Sequence, residues 1–136
     1  MFIVLVVLSI VHAQATYHVV GIVSCNAGMD WIPAHTGKAY IWDSAMGGSK
    51  LDSCCLDGNS EYHFYMPNGT YYVSIVECGI YVGFSIPHSF KLYSSSSRTM
   101  VKVLNAEARV NIQLNWIYDN YGIDDYPFPC PAYYNQ

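Results

Sequence analysis

The stretch Asp57-Gly-Asn-Ser-Glu-Tyr-His-Phe-Tyr-Met-Pro-Asn-Gly-Thr-Tyr-Tyr-Val-Ser-Ile-Val-Glu-Cys78 decides the fold. Its two halves alternate apolar and polar residues with a period of two, as half-buried strands do. The apolar positions are Tyr62, Phe64, Met66, Tyr71, Val73 and Ile75. The turn Pro67-Asn-Gly-Thr70 lies between them, where Asn and Gly tolerate positive φ and Pro cannot join a central ladder. We therefore predict an antiparallel β-hairpin here.

Runs with the same alternation occur before and after this stretch. We predict further strands at 17–25, 38–43, 80–87, 99–104 and 108–115. The last has the clearest pattern, with Val110, Ile112 and Leu114 on one face, as in a half-buried antiparallel strand. The segments 26–37 and 44–59 are rich in Gly, Pro or Ser, and we interpret both as loops. About seven short strands without a helical stripe predict an all-β fold, a two-sheet antiparallel sandwich.

The composition favours one packed domain that does not bind nucleic acid. The chain has 136 residues, enough for one domain and too few for two. Charged residues make up 12% and aromatic residues 15%, the reverse of the balance in a disordered chain. The net charge of −4 argues against a nucleic-acid partner. It also argues against attachment to an anionic membrane by net charge alone.

The first residues have the features of a secretory signal. Residues 2–11 are almost all Val, Leu and Ile, and small residues follow at Ala13 and Ala15. The run is shorter than the about 20 apolar residues that span a bilayer, so we predict cleavage after Ala13, with Ala15 as the alternative. The predicted organisation is a signal peptide at 1–13, a β-sandwich at 14–115 and an aromatic, proline-rich tail at 116–136. The mature protein should be secreted and extracellular, with no transmembrane segment.

Export makes the five cysteines candidates for disulfides, because thiols oxidise outside the cytosol. Cys54 and Cys55 are adjacent, and in an extended chain their side chains point to opposite faces, so they should not bridge each other. We expect Cys25 to pair with Cys78, and Cys130 to pair with Cys54 or Cys55. The fifth cysteine stays free or joins a second chain, which would give a disulfide-linked homo-oligomer.

Asn68-Gly-Thr70 is an N-glycosylation sequon in a chain expected to be exported. Its position in a turn favours exposure, whereas a tight turn can hinder the transferase. A glycosylated Asn68 and an unmodified turn asparagine therefore both remain open.

The tail 116–136 mixes aromatic residues, acidic residues and prolines, so it cannot form a strand throughout. One interpretation is an extended segment that Cys130 holds against a sheet edge. The other is an aromatic, acidic contact surface with Asp119, Asp124 and Asp125 as calcium ligands. Their spacing differs from that of an EF-hand loop, and we favour the first interpretation.

The sequence contains no pattern typical of catalysis or metal binding. His18, His35, His63 and His88 stand singly, without the His-x-His or His-x-x-x-His spacing of zinc sites. There is no Gly-x-Ser-x-Gly elbow and no phosphate-binding loop. We therefore predict no catalytic residue, no metal site, no cofactor and no enzymatic activity.

Several motifs resemble those of a known family. Residues 57–64, followed by Pro67-Asn-Gly-Thr-Tyr-Tyr-Val73, resemble a motif of transthyretin-like and carboxypeptidase-regulatory-like β-sandwiches. Gly21-Ile-Val-Ser-Cys-Asn26 is similar to the opening strand of the secreted transthyretin-like family of nematodes. Cys78 resembles the cysteine that ends a strand of that family. Phe84-Ser-Ile-Pro87 and Val110-Asn-Ile-Gln-Leu114 then follow in the family's order.

The resemblance implies a transthyretin-like, immunoglobulin-like sandwich that binds an extracellular protein, a lipid or a cell-surface ligand. One alternative is an enzyme resembling 5-hydroxyisourate hydrolase, which shares the fold and uses a histidine near its first strand together with an arginine. His18 would be that histidine, although the C-terminal Tyr-Arg-Gly-Ser of that enzyme is absent. Another alternative is a structural protein of the extracellular matrix, crosslinked through tyrosines and the odd cysteine.

Overall fold

The computed structural model describes residues 14–82, 89–121 and 128–133. Regular structure in these ranges consists of the strands β1 (Tyr17–Asn26), β2 (Trp31–Pro33), β3 (Thr36–Trp42), β4 (Lys50–Cys55), β5 (Glu61–Met66), β6 (Gly69–Val82), β7 (Ser89–Tyr93), β8 (Thr99–Val103), β9 (Ala108–Arg109), β10 (Ile112–Leu114) and β11 (Ile117–Tyr121). They form a five-stranded and a six-stranded sheet. The predicted all-β, two-sheet sandwich is confirmed, with more strands than expected. No helix in these ranges is long and apolar enough to cross a membrane.

Strand β1 is the centre of the first sheet. Along one edge it pairs antiparallel with β5, from Tyr17 opposite Met66 to Ile22 opposite Glu61, and then with β2. Along the other edge β9 and then β10 run parallel to it. The strand predicted at 108–115 is therefore interrupted, and its predicted antiparallel pairing is wrong.

The interruption between β9 and β10 is bridged by a side chain. The Val110 N–H donates to the Val20 carbonyl with an N···O distance of 3.0 Å, which is typical of a backbone hydrogen bond in a sheet. Two residues further along β1, the Ile22 N–H donates to the Asn111 side-chain oxygen at 2.9 Å instead of to a backbone carbonyl. Asn111 therefore keeps β1 hydrogen-bonded across the break.

The long strand β6 organises the second sheet. One of its edges pairs antiparallel with β3, which in turn pairs with β4. On its other edge, β8 pairs with residues 69–73 and β7 with residues 78–82. Strand β11, from the predicted tail, pairs antiparallel with β7.

The predicted hairpin between the two halves of 57–78 is wrong. Strand β5 pairs with β1 in the first sheet, whereas β6 belongs to the second sheet. The turn Pro67-Asn68 is thus a crossover between sheets, where the Tyr71 hydroxyl donates to the Pro67 carbonyl at 2.6 Å. The apolar rows are still buried as predicted, because both face the core from opposite sheets.

Two strands lie in the segments interpreted as loops. Strand β4 has exposed residues at almost every position, so it lacks the alternation that marks a half-buried strand. Strand β2 has only three residues, too few to show a period. The strand predicted at 80–87 corresponds to the end of β6 at Val82, and its remainder lies outside the described residues.

The C-terminal segment 128–133 is held against the sandwich at several points. Cys55 and Cys130 form a disulfide, which resolves the alternative left open for Cys130. The Thr36 hydroxyl donates to the Cys130 carbonyl at 3.2 Å, and the Phe128 ring packs edge-on against Phe90 with centroids 5.0 Å apart. Cys130 therefore holds this part of the tail against the start of the inner strand β3, whereas residues 117–121 of the tail extend the second sheet as β11.

Replacing Gly21 with Ala should destabilise the protein by about 3 kcal/mol, at the upper end of the cost of overpacking a core. A Cβ at Gly21 would collide with the Val110 carbonyl and the Tyr62 hydroxyl, which donates to that same carbonyl. Chemical denaturation monitored by circular dichroism measures the change. In the control Gly58→Ala the new Cβ meets only the Tyr133 ring at 3.7 Å. Equal unfolding midpoints for the two variants would contradict the expected clash.

Candidate functional site

The outer surface of the second sheet carries a group of cations stacked on aromatic rings. We define the cation–aromatic face as Lys38, Tyr40, Trp42, Lys50 and Arg98. The Lys50 ammonium lies 4.3 Å and the Lys38 ammonium 5.5 Å from the Tyr40 ring centroid. The Arg98 guanidinium carbon lies 3.7 Å from the Trp42 ring centroid. All three distances are within the range of attractive cation–π interactions.

The alternation of β3 creates this face. Ala39 and Ile41 are fully buried, so Lys38, Tyr40 and Trp42 must project from the opposite side of the sheet. The neighbouring Tyr40 and Trp42 rings have centroids 6.3 Å apart, in a tilted arrangement. Of the cations, Lys38 lies on β3 itself, Lys50 comes from β4 and Arg98 from the loop 94–98, so spacing in the sequence does not reveal the whole face.

Arg98 joins the face to the loop 43–49. Its guanidinium donates to the Ser44 carbonyl at 2.8 Å and to the Gly47 carbonyl at 2.6 Å. Gly47 and Gly48 have φ of 64° and 70°, the left-handed conformation that glycine adopts most easily. The Trp42 indole N–H donates to the Ser74 hydroxyl at 3.0 Å. These bonds fix the Trp42 ring and the loop in one arrangement.

Two cavities lie on either side of the serine-rich loop 94–98. The first, of about 270 Å³, is lined by Ser94, Ser95, Ser96, Ser97, Thr99, Ile112, Gln113, Leu114, Asn115 and Trp116. The second, of about 560 Å³, is lined by Trp42, Ala45, Met46, Gly47, Ser74, Ser95, Ser96, Ser97 and Arg98. The larger cavity therefore opens beside the cation–aromatic face and shares Trp42 and Arg98 with it.

A second polar cluster lies on the outer surface of the first sheet. We define the histidine chain as Glu107, His18, His63 and Asp57, joined by three consecutive contacts. His18 Nδ1 lies 2.8 Å from the Glu107 carboxylate, and His18 Nε2 lies 2.8 Å from His63 Nδ1. His63 Nε2 lies 2.7 Å from Asp57 Oδ2. The Tyr65 ring stacks on His18, with centroids 5.0 Å apart.

Strand register brings this chain together. Val19 and Phe64 are buried partners on β1 and β5, so their neighbours His18 and His63 project outward. On the other side of β1, Arg109 is the register partner of Val20. Arg109 reaches across β1 and pairs with Glu61 of β5 at 3.2 Å. His18, predicted as an isolated strand histidine, therefore shares its surface with His63 and an arginine.

Asp57 is fixed as an anion at the end of the chain. Its Oδ1 accepts the backbone N–H of Asn59 at 2.8 Å and of Glu61 at 3.0 Å. Partial burial alone would raise the pKa of the Asp57 carboxyl. The hydrogen bonds from His63 and from the two backbone N–H groups outweigh this effect, and the pKa of Asp57 lies below its usual value.

His35 is a buried histidine that lies apart from the histidine chain. It is 8% exposed, and its Nδ1 accepts the Tyr81 backbone N–H at 2.7 Å. Burial lowers the pKa of His35 below its ordinary value. The imidazole is therefore a neutral acceptor in the folded protein at neutral pH.

The cysteines expected to pair are close in space. Cys25 and Cys78 are both fully buried free thiols with sulfur atoms 3.4 Å apart, so the expected disulfide between them is not formed in the structure. The hydrogen bond with Cys25 and burial both raise the pKa of the Cys78 thiol well above its usual value, so it is a poor nucleophile. Cys54 is half-buried and is not bonded to Cys55, which pairs with Cys130. Burial raises the pKa of Cys54 as well.

Asn68 is exposed, but its side chain is already hydrogen-bonded. Its Nδ2 donates to the Asn105 side-chain oxygen at 2.8 Å, and its Oδ1 accepts the Asn105 backbone N–H at 2.7 Å. A glycan on Nδ2 would have to replace the first of these bonds. Glycosylation of Asn68 stays a prediction.

Of the three calcium ligands considered in the tail, the structure describes Asp119 alone. Asp119 lies on the edge strand β11, where its carboxylate accepts the Asn120 backbone N–H at 2.8 Å. Asp124, Asp125 and His88 lie outside the described residues, as does the predicted signal peptide at 1–13.

Comparisons with known proteins identify no relative. No protein-family model matches the chain. No curated protein and no solved structure matches it either. The likeness to transthyretin-like proteins therefore rests on the sequence motifs alone and stays a prediction.

We predict that the unfolding free energy decreases as the pH falls below about 6.5, the ordinary pKa of histidine. Below that pH the unfolded chain binds a proton at His35 that the folded protein does not accept until a lower pH. Urea denaturation between pH 8 and about pH 5 measures this dependence. In His35→Asn, whose side-chain oxygen can still accept the Tyr81 N–H, the dependence should be weaker. An unchanged slope in this variant would show that other groups cause the loss.

We predict that the oxidised protein has a single free thiol, that of Cys54. The sulfur separation of 3.4 Å allows Cys25 and Cys78 to join, and Cys55 is bonded to Cys130. Alkylation of the unfolded, unreduced protein followed by peptide mass spectrometry should label Cys54 alone. Labels on Cys25 and Cys78 after refolding in a glutathione redox buffer would contradict this assignment.

Proposed function

We propose that the protein is a secreted, extracellular binding protein that recognises anionic lipid head groups through its cation–aromatic face. The observation that carries this proposal is the stacking of Lys38, Lys50 and Arg98 on the rings of Tyr40 and Trp42. The mechanism is surface recognition without a chemical step.

The chemistry of this face matches that of a membrane interface. Lys and Arg near an anionic lipid surface contribute about 1 kcal/mol of binding free energy each. Trp and Tyr favour the head-group level of a membrane, because their rings have an apolar body and a polar group and the surroundings there are also partly apolar and partly polar. The chain has only six Lys and Arg residues, and three of them belong to this face. The cations are thus concentrated at one place although the net charge is −4.

The loop beside the face supplies an apolar contact. Met46 is 88% exposed, and it lies in the loop 43–49 that Arg98 holds in place. On the same sheet Met100 is 51% exposed. Exposed methionines lose water contacts when they enter the head-group region, which adds a hydrophobic contribution to the electrostatic one. The cavity of about 560 Å³ between Met46 and Arg98 is large enough to admit a polar head group.

A hydrolase is the second candidate function, because His18 contacts His63 and shares its surface with Arg109. The Arg109 guanidinium, however, is paired with the Glu61 carboxylate at 3.2 Å. Both cavities described above lie by the loop 94–98, and neither is lined by these residues. Binding by the cation–aromatic face is therefore the better supported function.

A crosslinked structural protein is the third candidate. It would use the odd cysteine to join two chains. A bond between Cys25 and Cys78, together with the Cys55–Cys130 disulfide, would leave Cys54 as the odd thiol. Cys54 is half-buried at an inward-facing position of β4 opposite Ala39. Such a position favours an unlinked thiol over an intermolecular disulfide.

Flotation with vesicles tests the proposed lipid binding. The mature protein should bind vesicles that contain phosphatidylserine and should not bind vesicles of phosphatidylcholine alone. Lys38→Gln and Lys50→Gln should each weaken binding about fivefold, which corresponds to the loss of about 1 kcal/mol per cation. Binding should also weaken as the salt concentration rises, because exposed charges are screened.

The matched control is Arg109→Gln, which removes a cation from the other sheet and should leave binding unchanged. All samples contain EDTA, so that bound metal ions do not contribute. Equal binding to both kinds of vesicle, or equal affinities of wild type and the two lysine variants, would overturn the proposal.

A further inference from the structure

We propose that Asp57, Glu61 and His63 form a binding site for a divalent transition-metal ion such as Zn²⁺. Each residue offers one ligand atom, and these atoms all lie within 4.8 Å of one another. Two of them, Asp57 Oδ2 and His63 Nε2, are 2.7 Å apart. Ligand atoms around a tetrahedral zinc ion are roughly 3.3 Å apart, given bonds of about 2.0 Å. Small side-chain rotations therefore suffice to bring the three ligand atoms within bonding distance of one metal ion.

The backbone holds these ligands in place before any ion binds. Glu61 and His63 are two residues apart on β5, so their side chains project from the same face of the sheet. The turn 57–60 brings Asp57 back beside them, because Asp57 Oδ1 accepts the backbone N–H groups of Asn59 and Glu61. With Oδ1 occupied, Oδ2 is the oxygen directed at His63.

The hydrogen-bond pattern of the histidine chain is compatible with a metal ion at His63 Nε2. The three contacts from Glu107 through His18 and His63 to Asp57 need three ring hydrogens, since both ends are carboxylates that only accept. Two neutral imidazoles carry only two such hydrogens. A proton on one ring can supply the third hydrogen, and a metal ion between His63 Nε2 and Asp57 Oδ2 can occupy the same position instead.

With a metal ion at His63 Nε2, one ring hydrogen on each histidine is enough for the other two hydrogen bonds of the histidine chain. His63 Nδ1–H can then donate to His18 Nε2, and His18 Nδ1–H can donate to Glu107 at their observed separations of 2.8 Å. Protein metal sites commonly orient a ligand histidine through a hydrogen bond from its other nitrogen to an acceptor. Here His18 is that acceptor and Glu107 fixes its orientation, while the stacked Tyr65 ring limits rotation of His18. His18 is thus a positioning residue for the site.

The ligand set defines the class of ion. One imidazole nitrogen and two carboxylate oxygens suit Zn²⁺, Mn²⁺ or Fe²⁺, whereas Ca²⁺ prefers six or more oxygen ligands. The site is accessible from solvent, since the Asp57 and His63 side chains are 38% and 37% exposed. Arg109 pairs with Glu61 and competes with a cation for that carboxylate. Removal of Arg109 should therefore strengthen metal binding.

Zinc titration of the untagged mature protein, in competition with a chromogenic chelator, tests the site. Wild type should bind one Zn²⁺ per chain, and His63→Gln should lose this ion. His18→Gln should weaken binding by about tenfold or more, the usual effect of removing a group that orients a metal ligand. Arg109→Gln should bind more tightly. Asp119→Asn, which removes one carboxylate from the other sheet, should bind as wild type does.

Nuclear magnetic resonance of the wild-type histidine side chains gives a second measurement that does not depend on a variant. Zinc should shift the Nε2 resonance of His63 and leave the resonances of His35 unshifted. Equal zinc affinity of His63→Gln and wild type would overturn the proposal. So would the absence of any His63 shift at about 1 mM zinc, far above the affinity range of protein zinc sites.

Discussion

The structure depends on one strand that is hydrogen-bonded along both of its edges. Strand β1 pairs with β5 and β2 on one side and with β9 and β10 on the other. This arrangement requires the chain to approach β1 closely, and Gly21 allows it because the Val110 carbonyl occupies the space of a side chain. The same pairing places His18 between β5 and the turn that carries Glu107. The core and the histidine chain thus share one structural cause.

The sequence predicted which residues are buried better than it predicted which strands are partners. The row of Tyr62, Phe64 and Met66 on β5 and the row of Tyr71, Val73 and Ile75 on β6 are both buried as expected. A period of two follows from one buried face, however, and that face exists whether two strands are neighbours in a sheet or face each other across the core. The alternation therefore could not distinguish a hairpin from a crossover. The long-range pairing of β5 with β1 decides that the connection from β5 to β6 is a crossover.

The same limit applies to the candidate sites. His18 and His63 are 45 residues apart, and His18 and Glu107 are 89 apart, so no local spacing indicates that they meet. The adjacent cysteines are the instructive contrast. An extended chain must direct Cys54 and Cys55 to opposite faces, and only Cys55 meets Cys130. Local backbone geometry alone excludes a bond between Cys54 and Cys55, so the sequence predicts that result. The contacts of His18 depend on how distant strands pair, so the sequence does not predict them.

The local charge of a surface, rather than the net charge of the protein, decides which ligands that surface can attract. Exposed charges act over a Debye length of about 8 Å at physiological salt, so a surface responds to the groups on its own side of the protein. Lys38, Lys50 and Arg98 lie together on the outer surface of the second sheet, while the histidine chain places its carboxylates on the outer surface of the first. The two sheets separate these groups by the thickness of a core of about 10 Å plus two layers of side chains. An acidic protein can therefore present a cationic surface to an anionic ligand, and the opposite surface can bind a cation independently.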